Sequence, residues 1–310
     1  MIHEIGEYEG EDIRKQVDRL LRDVGNPEPP ISLDDVRALL NLDRKYYNTA
    51  DPGLLDEVAH KVRVGGSQIV QAASRLFDIA KKAKLVAFWL PESQRILIDS
   101  DAPEKKHRWI EAHEIGHSIT PWHKTFLFGD SEHTLDPACH AAVEGEANYA
   151  AGQLLFLRER FGREARDLEL SFKTVQALSK RYGNSLTSTL WRIIEERDPN
   201  SPVFGIVSAH PRYPSIGRTE DGRSIRHFIR SRGFRERFPS MTPEDAYGIL
   251  KLHAGWTKRG TLFKGDHPLI DSNGCLCEFH VDCLATQYYA LTYGVFLREI
   301  PTLVAAGFHG

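Results

Sequence analysis

The chain has few cysteines, no long apolar run and little net charge, so it lacks the features that mark secreted, membrane-spanning or nucleic-acid-binding proteins. Four cysteines among 310 residues are too few for the disulfide framework of a small secreted domain. No apolar run approaches the ~20 residues that a membrane span needs, and the acidic start at residues 1–11 lacks the pattern of a signal peptide. A net charge of −3 gives no overall attraction to nucleic acid. We therefore expect a cytoplasmic protein that does not bind membranes and whose overall charge gives no reason to expect direct binding of nucleic acid.

One short run, with the pattern HExxH, carries a specific chemical signal. His113 and His117 are four residues apart, so both imidazoles project from the same face of a helix and can reach one metal ion. Glu114 directly follows the first histidine, where a carboxylate can take a proton from a metal-bound water. The spacing predicts a zinc peptidase in which His113 and His117 bind the metal and Glu114 is the catalytic base.

Two residues compete for the third metal ligand that a catalytic zinc site usually has. Glu144 lies on a second predicted helix, whose many small residues would allow close packing across the first. His123 is the alternative, because the run from His113 reads HExxHxxTxxH, close to the HExxHxxGxxH of the metzincins. Thr120 occupies the glycine position of that pattern, and the methionine after it, Met241, is far along the chain. We prefer Glu144 and leave His123 open.

Three further polar residues are candidates for supporting roles around this site. His123 could contact the substrate or the metal-bound water, and His140, four residues before Glu144, could support a ligand. Tyr149, His123 and His140 are the candidates for an oxyanion donor, although Tyr149 would suit the core equally well. Glu146 is about 200° around the helix from Glu144, so we expect it to point away from the metal.

The two motifs together resemble the ImmA/IrrE-type metallopeptidases of bacteria, their phages and mobile elements. The resemblance rests on AHEIGH at 112–117 with Pro-Trp-His at 121–123, and on EGEANYAAGQLLF at 144–156. A predicted strand at 95–99 leads into the first motif, as in that family. Convincing similarity covers about residues 85–160.

This resemblance implies a fold, a reaction and a partner. It implies a zincin-like core and a metalloendopeptidase that cleaves a transcriptional repressor, often one with a helix-turn-helix domain, in stress, mobile-element or defence regulation. The ligand positions of the family correspond to His113, His117 and Glu144, and its catalytic base corresponds to Glu114. Zinc suits two imidazoles and a carboxylate best, although manganese or iron would also fit.

The remaining sequence predicts an α+β protein with two domains. Residues 1–198 would hold a mainly helical metallopeptidase core with a small antiparallel sheet, N-terminal helices and a helical hairpin at 172–196. Residues 199–310 would form a C-terminal α+β domain for substrate binding or regulation. Further helices are expected at 54–62 and 68–82.

Other interpretations of the chain remain as alternatives. The protein could be a non-proteolytic regulator or sensor stabilised by metal, or a DNA-binding protein that uses the helical hairpin at 172–196 or the arginine-rich segment 223–237. The cluster Cys275, Cys277, His280 and Cys283 lacks the spacing of structural zinc sites, so we interpret it as a strand with buried free cysteines.

Overall fold

The computed structural model describes residues 5–47, 87–91, 94–128, 137–219 and 221–301. The helices expected at 54–62 and 68–82 lie outside these residues. The contacts of the chain divide it into two compact units, Met1–Arg158 and Glu159–Gly310. Each unit combines helices with a sheet, which confirms the predicted α+β class.

The first unit contains two helices, a small sheet and the helices that carry the motifs. Its elements are α1 (Glu7–Asp23), α2 (Leu33–Leu40), β1 (Asp43–Tyr47), β2 (Ala87–Leu90), β3 (Arg95–Asp99), α3 (Glu104–Ile119), α4 (Pro121–Phe128) and α5 (Pro137–Leu155). The sheet has the order β1-β3-β2. Strand β2 pairs with β3 antiparallel, as expected, but β1 pairs with β3 in parallel. The sheet is therefore mixed, and not antiparallel as predicted.

The axes of helices α3 and α5 approach closely because the residues at the contact between the two helices are small. Gly116 of α3 faces α5, where a Cβ atom on this glycine would lie 2.7 Å from the carbonyl oxygen of Ala147 and 3.2 Å from the Cβ of Ala150. Only a residue without a side chain fits at this distance. The close approach brings α5 within reach of the two histidines of α3.

The chain turns sharply between α3 and α4. Thr120 has an extended backbone, with φ −97° and ψ 101°, because proline at the next position disfavours the helical conformation of the residue before it. Pro121 then begins α4, a position where its missing N–H costs no hydrogen bond. The turn carries His123 back toward α3, and the backbone N–H of His123 donates to the Thr120 carbonyl at 3.1 Å.

The second unit places helices against a five-stranded antiparallel sheet. Its elements are α6 (Glu159–Arg166), α7 (Phe172–Tyr182), α8 (Leu186–Glu196), β4 (Val203–Ser208), β5 (Ile225–Arg230), α9 (Arg232–Arg237), α10 (Pro243–His253), β6 (Gly260–Ile270), β7 (Leu276–Ala285) and β8 (Ala290–Glu299). The strand order is β5-β4-β8-β7-β6. A cluster of aromatic side chains that includes Phe204, Phe234, Phe238 and Phe279 fills the core of this unit.

The predicted helical hairpin exists, but it belongs to the second unit. Helices α7 and α8 lie within a few residues of their predicted bounds and are joined by Gly183 in the left-handed conformation, with φ 66°. Helix α8 packs so closely on β4 that a Cβ atom on Gly205 would lie 2.3 Å from the Cδ1 atom of Ile194. The division at Arg158 therefore precedes the predicted boundary at 198, because the hairpin covers the second sheet.

Candidate metal centre

Three side chains from α3 and α5 converge on one point. The Nε2 atoms of His113 and His117 are 3.1 Å apart. The carboxylate of Glu144 lies 3.1 Å from the Nε2 atom of His113 and 3.5 Å from that of His117. Among the described residues, these three form the one group of histidine, cysteine and acidic side chains with the geometry to hold a metal ion. The structure thus brings together the predicted ligands His113, His117 and Glu144.

These distances fit a tetrahedral zinc ion. Zinc binds nitrogen and carboxylate oxygen at about 2.0–2.1 Å, so two ligands of a tetrahedral ion are about 3.3–3.4 Å apart. The three measured separations of 3.1, 3.1 and 3.5 Å lie close to that value. The donor set, two imidazoles and one carboxylate, is also the set that catalytic zinc sites use with a fourth position left for water.

The pKa values of the three candidate ligands are shifted by burial and by their mutual hydrogen bonds. Burial lowers the pKa of His117 to about 4, so its imidazole is neutral at physiological pH. Burial acts against the cationic form of His113 as well, but hydrogen bonding and the charges of Glu114 and Glu144 raise its pKa. Burial would raise the pKa of Glu144, yet its interactions with the two histidines, above all the hydrogen bond with His113, hold it well below its usual range. A metal cation that displaces the His113 proton would meet the same stabilising carboxylate.

Glu114 lies beside this cluster in a nearly dry environment. Its side chain is 5% exposed, and burial raises its pKa to about 7, with the charge of Glu144 acting in the same direction. The charge of His113 and a backbone hydrogen bond from Trp89 of β2 limit the rise. A carboxyl group with a pKa near neutrality can both accept and release a proton at physiological pH.

Asn148, one turn after Glu144 on α5, orients the ring of His113. The Nδ1 atom of His113 lies 3.2 Å from the Oδ1 atom of Asn148, and it must donate there because an amide oxygen only accepts. The Nδ2 atom of Asn148 donates to the Glu144 carbonyl at 2.9 Å, which fixes the orientation of the amide. The Nε2 atom of His113 is therefore directed at the cluster.

A second support lies behind His117. Its Nδ1 atom is 3.0 Å from the Nδ1 atom of His123, and the Nε2 atom of His123 is 2.9 Å from an oxygen of Glu146. The indole N–H of Trp122 donates to the same oxygen at 2.5 Å. Burial favours the protonated form of Glu146, but these hydrogen bonds lower its pKa below the usual value.

A buried ion-pair cluster fixes the first half of the HExxH helix. Glu111 is 3% exposed and accepts from the Nε atom of Arg37 and the Nη1 atom of Arg44, each at 2.6 Å. Arg37 belongs to α2 and Arg44 to β1, so the cluster ties both elements to α3. A buried carboxylate is stable only when such partners compensate its charge.

The structure assigns the other candidate residues different positions. His123 lies behind the cluster, since its Nδ1 atom contacts the Nδ1 atom of His117 and its Nε2 atom contacts Glu146. Tyr149 faces α1, where its hydroxyl accepts from Arg14 at 2.9 Å, so it is not placed as an oxyanion donor. His140 lies on α5, but its side chain is outside the described part of the structure. Glu146 does turn away from the candidate ligands, as expected, yet it reaches His123.

Among the residues that the structure describes, the cysteines and histidines of the second unit form no group with metal-binding geometry. Cys277 and Cys283 are buried free thiols in the aromatic core, as predicted, whereas Cys275 is exposed. His280, on the other face of β7, pairs with Asp266 at 2.8 Å. Within the arginine-rich segment, Arg237 pairs with Asp271 and Glu299, and ion pairs between residues closer in the sequence join Arg223 to Asp221 and Arg232 to Glu236.

Comparison with known proteins finds similarity among solved structures. No protein-family model matches the chain, and no curated protein matches it. A solved structure of a Mycobacterium tuberculosis transcriptional regulator is similar over 93% of this chain and 88% of that chain, with 12% sequence identity and a TM-score of 0.50. This likeness is one of fold. In the described residues, no helix has the length and apolar character required to cross a bilayer.

Proposed function

We propose that the protein is a zinc-dependent endopeptidase with a zincin-like core, of the ImmA/IrrE type that its two motifs resemble. The observation that carries the proposal is the convergence of His113, His117 and Glu144, with the buried carboxyl group of Glu114 beside them. The donor atoms are spaced for a tetrahedral ion, and the base has a pKa of about 7. Manganese or iron remain alternatives for the same donor set.

The residues around the site have distinct roles in peptide hydrolysis. When bound, zinc supplies a Lewis acid that acidifies a water molecule and polarises the peptide carbonyl. The Glu114 carboxylate would accept the proton of the attacking water and then deliver it to the nitrogen of the leaving amine. Burial raises the pKa of the Glu114 carboxyl toward neutrality, which strengthens the carboxylate as a base and leaves the carboxyl able to release the proton to the leaving amine. His113, His117 and Glu144 would hold the ion.

The substrate we propose is a specific protein in the cytoplasm, namely a helix-turn-helix transcriptional repressor. Two observations support a role in regulation. The AHEIGH and EGEANYAAG runs resemble peptidases that act on repressors, and the similar solved structure bears the name of a transcriptional regulator. Direct DNA binding by this chain has less support, because Thr189, Leu190 and Arg192 of α8 are buried and not available to a DNA groove.

A comparison of N termini in cells tests this proposal and identifies the substrate in the same experiment. The wild-type protein and the Glu114→Gln variant would be expressed at equal levels, and new protein N termini would be identified by labelling and mass spectrometry. We expect a cleaved helix-turn-helix protein in cells that express the wild type and none in cells that express Glu114→Gln. Identical N-terminal profiles from two proteins that both contain zinc would contradict the peptidase proposal.

A second candidate function is a non-proteolytic regulator whose fold the metal stabilises. The name of the similar solved structure favours it. The same variant separates the two functions, because a regulator of this kind would keep its effect on target genes after Glu114→Gln, whereas a peptidase would lose it.

A further inference from the structure

A buried chain of hydrogen bonds leads from Glu146 through His123 to the candidate ligand His117. The side chain of His123 has no exposed surface, and those of His117 and Glu146 are 7% and 13% exposed. The two contacts measure 2.9 Å from Glu146 to His123 and 3.0 Å from His123 to His117. Isolated from water, such polar groups are stable only when each hydrogen bond has a correct donor and acceptor.

The positions of the protons follow from the chemistry of the three groups. A carboxylate only accepts, so the Nε2 atom of His123 carries the proton that it donates to Glu146. In a neutral imidazole the Nδ1 atom of His123 is then an acceptor, and the Nδ1 atom of His117 must be the donor. The Nε2 atom of His117 consequently has a free electron pair, and it is this atom that lies 3.5 Å from Glu144. The chain of bonds thus selects the one tautomer of His117 that can bind a metal at the cluster.

The surrounding elements hold this arrangement in place. Glu146 receives a second hydrogen bond from the indole of Trp122, so its carboxylate is fixed from two sides. The hydroxyl of Thr120 donates to the carbonyl of Gly116 at 2.8 Å, which secures the turn before α4. The residues that build the chain therefore come from three helices, α3, α4 and α5.

We propose that Glu146 and His123 are positioning residues, which fix the orientation and tautomer of His117 and thereby strengthen metal binding. This inference rests on the proposed function, since it concerns the same metal. Carboxylates commonly support metal-binding histidines directly; here a second imidazole is inserted between the carboxylate and the ligand. His113 is supported differently, by the neutral amide of Asn148.

Zinc affinity of the full-length protein tests the proposal. Affinity would be measured by competition with a chromophoric chelator for wild type, Glu146→Ala, Glu146→Gln and His123→Ala. Loss of a partner that orients a metal ligand typically weakens affinity by about 10–100-fold, and we expect this for Glu146→Ala and His123→Ala. We expect a smaller loss for Glu146→Gln, because the amide oxygen can still accept from His123 while the charge is removed. Glu164→Gln, which changes a carboxylate paired with Arg181 in the second unit, should match wild type.

A second measurement separates positioning from a general effect on folding. Visible absorption of the cobalt-substituted proteins reports the geometry around the ion, and circular dichroism at the same temperature reports the fold. A shifted cobalt spectrum in folded Glu146→Gln supports positioning, even if Glu146→Ala does not fold. Zinc affinities within twofold of wild type together with an unchanged cobalt spectrum would overturn it. If wild type itself binds no zinc, the proposed function fails too, which is a distinguishable result.

Discussion

Two pairs of histidine rings in this molecule are in contact at the same distance between nitrogen atoms, but their surroundings are very different. In the first unit, the Nδ1 atoms of His117 and His123 are 3.0 Å apart. In the second unit, the Nε2 atom of His253 and the Nδ1 atom of His267 are also 3.0 Å apart. The first pair has a carboxylate at each end, whereas the ring of His253 stacks on Phe263 at a centroid distance of 4.4 Å. Among the described hydrogen bonds, no carboxylate contacts the second pair.

The difference shows what turns a histidine pair into a candidate metal centre. Two imidazoles in contact supply one hydrogen bond and no net charge, which suffices for packing. In the first unit, the carboxylate of Glu146 contacts His123 and selects the tautomer of the pair. The carboxylate of Glu144 lies near the metal-binding nitrogen of His117, where it completes the donor set and compensates the charge of a cation. The acidic residues, and not the histidines alone, therefore distinguish the first unit from the second.

The largest expected effect is the complete loss of metal when the carboxylate of Glu144 is removed. Wild-type protein purified without added metal should contain about one zinc per chain, and Glu144→Ala should contain none, because two ligands rarely retain zinc. His253→Ala, the matched change in the second pair, should leave the metal content unchanged. Mass spectrometry of the purified proteins measures both. Zinc retained in Glu144→Ala, or lost in His253→Ala, would contradict this difference between the two histidine pairs.

The next largest effect concerns catalysis without loss of metal. Glu114→Gln removes the proton acceptor but none of the candidate ligands, so zinc content should be retained. Removal of a general base typically slows a reaction by about 10²–10⁴-fold, and we expect a loss of this size in cleavage of a repressor substrate, measured as kcat/KM. An equal rate in wild type and variant would show that Glu114 is not the base.

A third effect contrasts a helical glycine of each unit. Gly116→Ala would place a methyl group 2.7 Å from the carbonyl oxygen of Ala147, whereas a Cβ atom on Gly248 of α10 meets nothing within 4 Å. Overpacking costs about 1–3 kcal/mol, while alanine in place of an unconstrained helical glycine stabilises by about 0.5–1 kcal/mol. Urea denaturation should therefore show a lower free energy of unfolding for Gly116→Ala and a higher one for Gly248→Ala. Gly116→Ala should also weaken zinc binding. Equal changes in the free energy of unfolding would contradict the close contact of α3 and α5.

The local part of this site could be predicted from the sequence, and the long-range part could not. The i, i+4 spacing predicts the positions of His113 and His117, and a helix of small residues predicts the approach of Glu144. The role of Glu146 was missed, because helical periodicity says only that it turns away from Glu144. The turn between α3 and α4 brings its partner, His123, to Glu146, and the contact between these two residues is tertiary.

Similar reasons explain the other differences between the expected and the observed structure. Tyr149 contacts Arg14, which is 135 positions away in the chain, so no local pattern relates the two residues. Strand β1 carries the residues DRKYY, which lack the apolar alternation typical of a strand. It forms because β3 offers it a parallel partner and because Arg44 binds Glu111. The hairpin of α7 and α8 was predicted, but its packing partner depends on the second sheet.

The smallest expected effect is a pH dependence of stability that comes from the second histidine pair. Burial, with the neighbouring His253, lowers the pKa of His267 below its usual value of 6.5. The unfolded chain then binds this proton more tightly than the folded protein, so the contribution to stability is present above pH 6.5 and is lost as the pH falls through the lowered pKa. Thermal unfolding from pH 7.5 to 5 should show a decreasing midpoint, and His267→Gln should make that decrease shallower. An identical pH profile in wild type and variant would mean that the second pair, unlike the first, has no measurable electrostatic role.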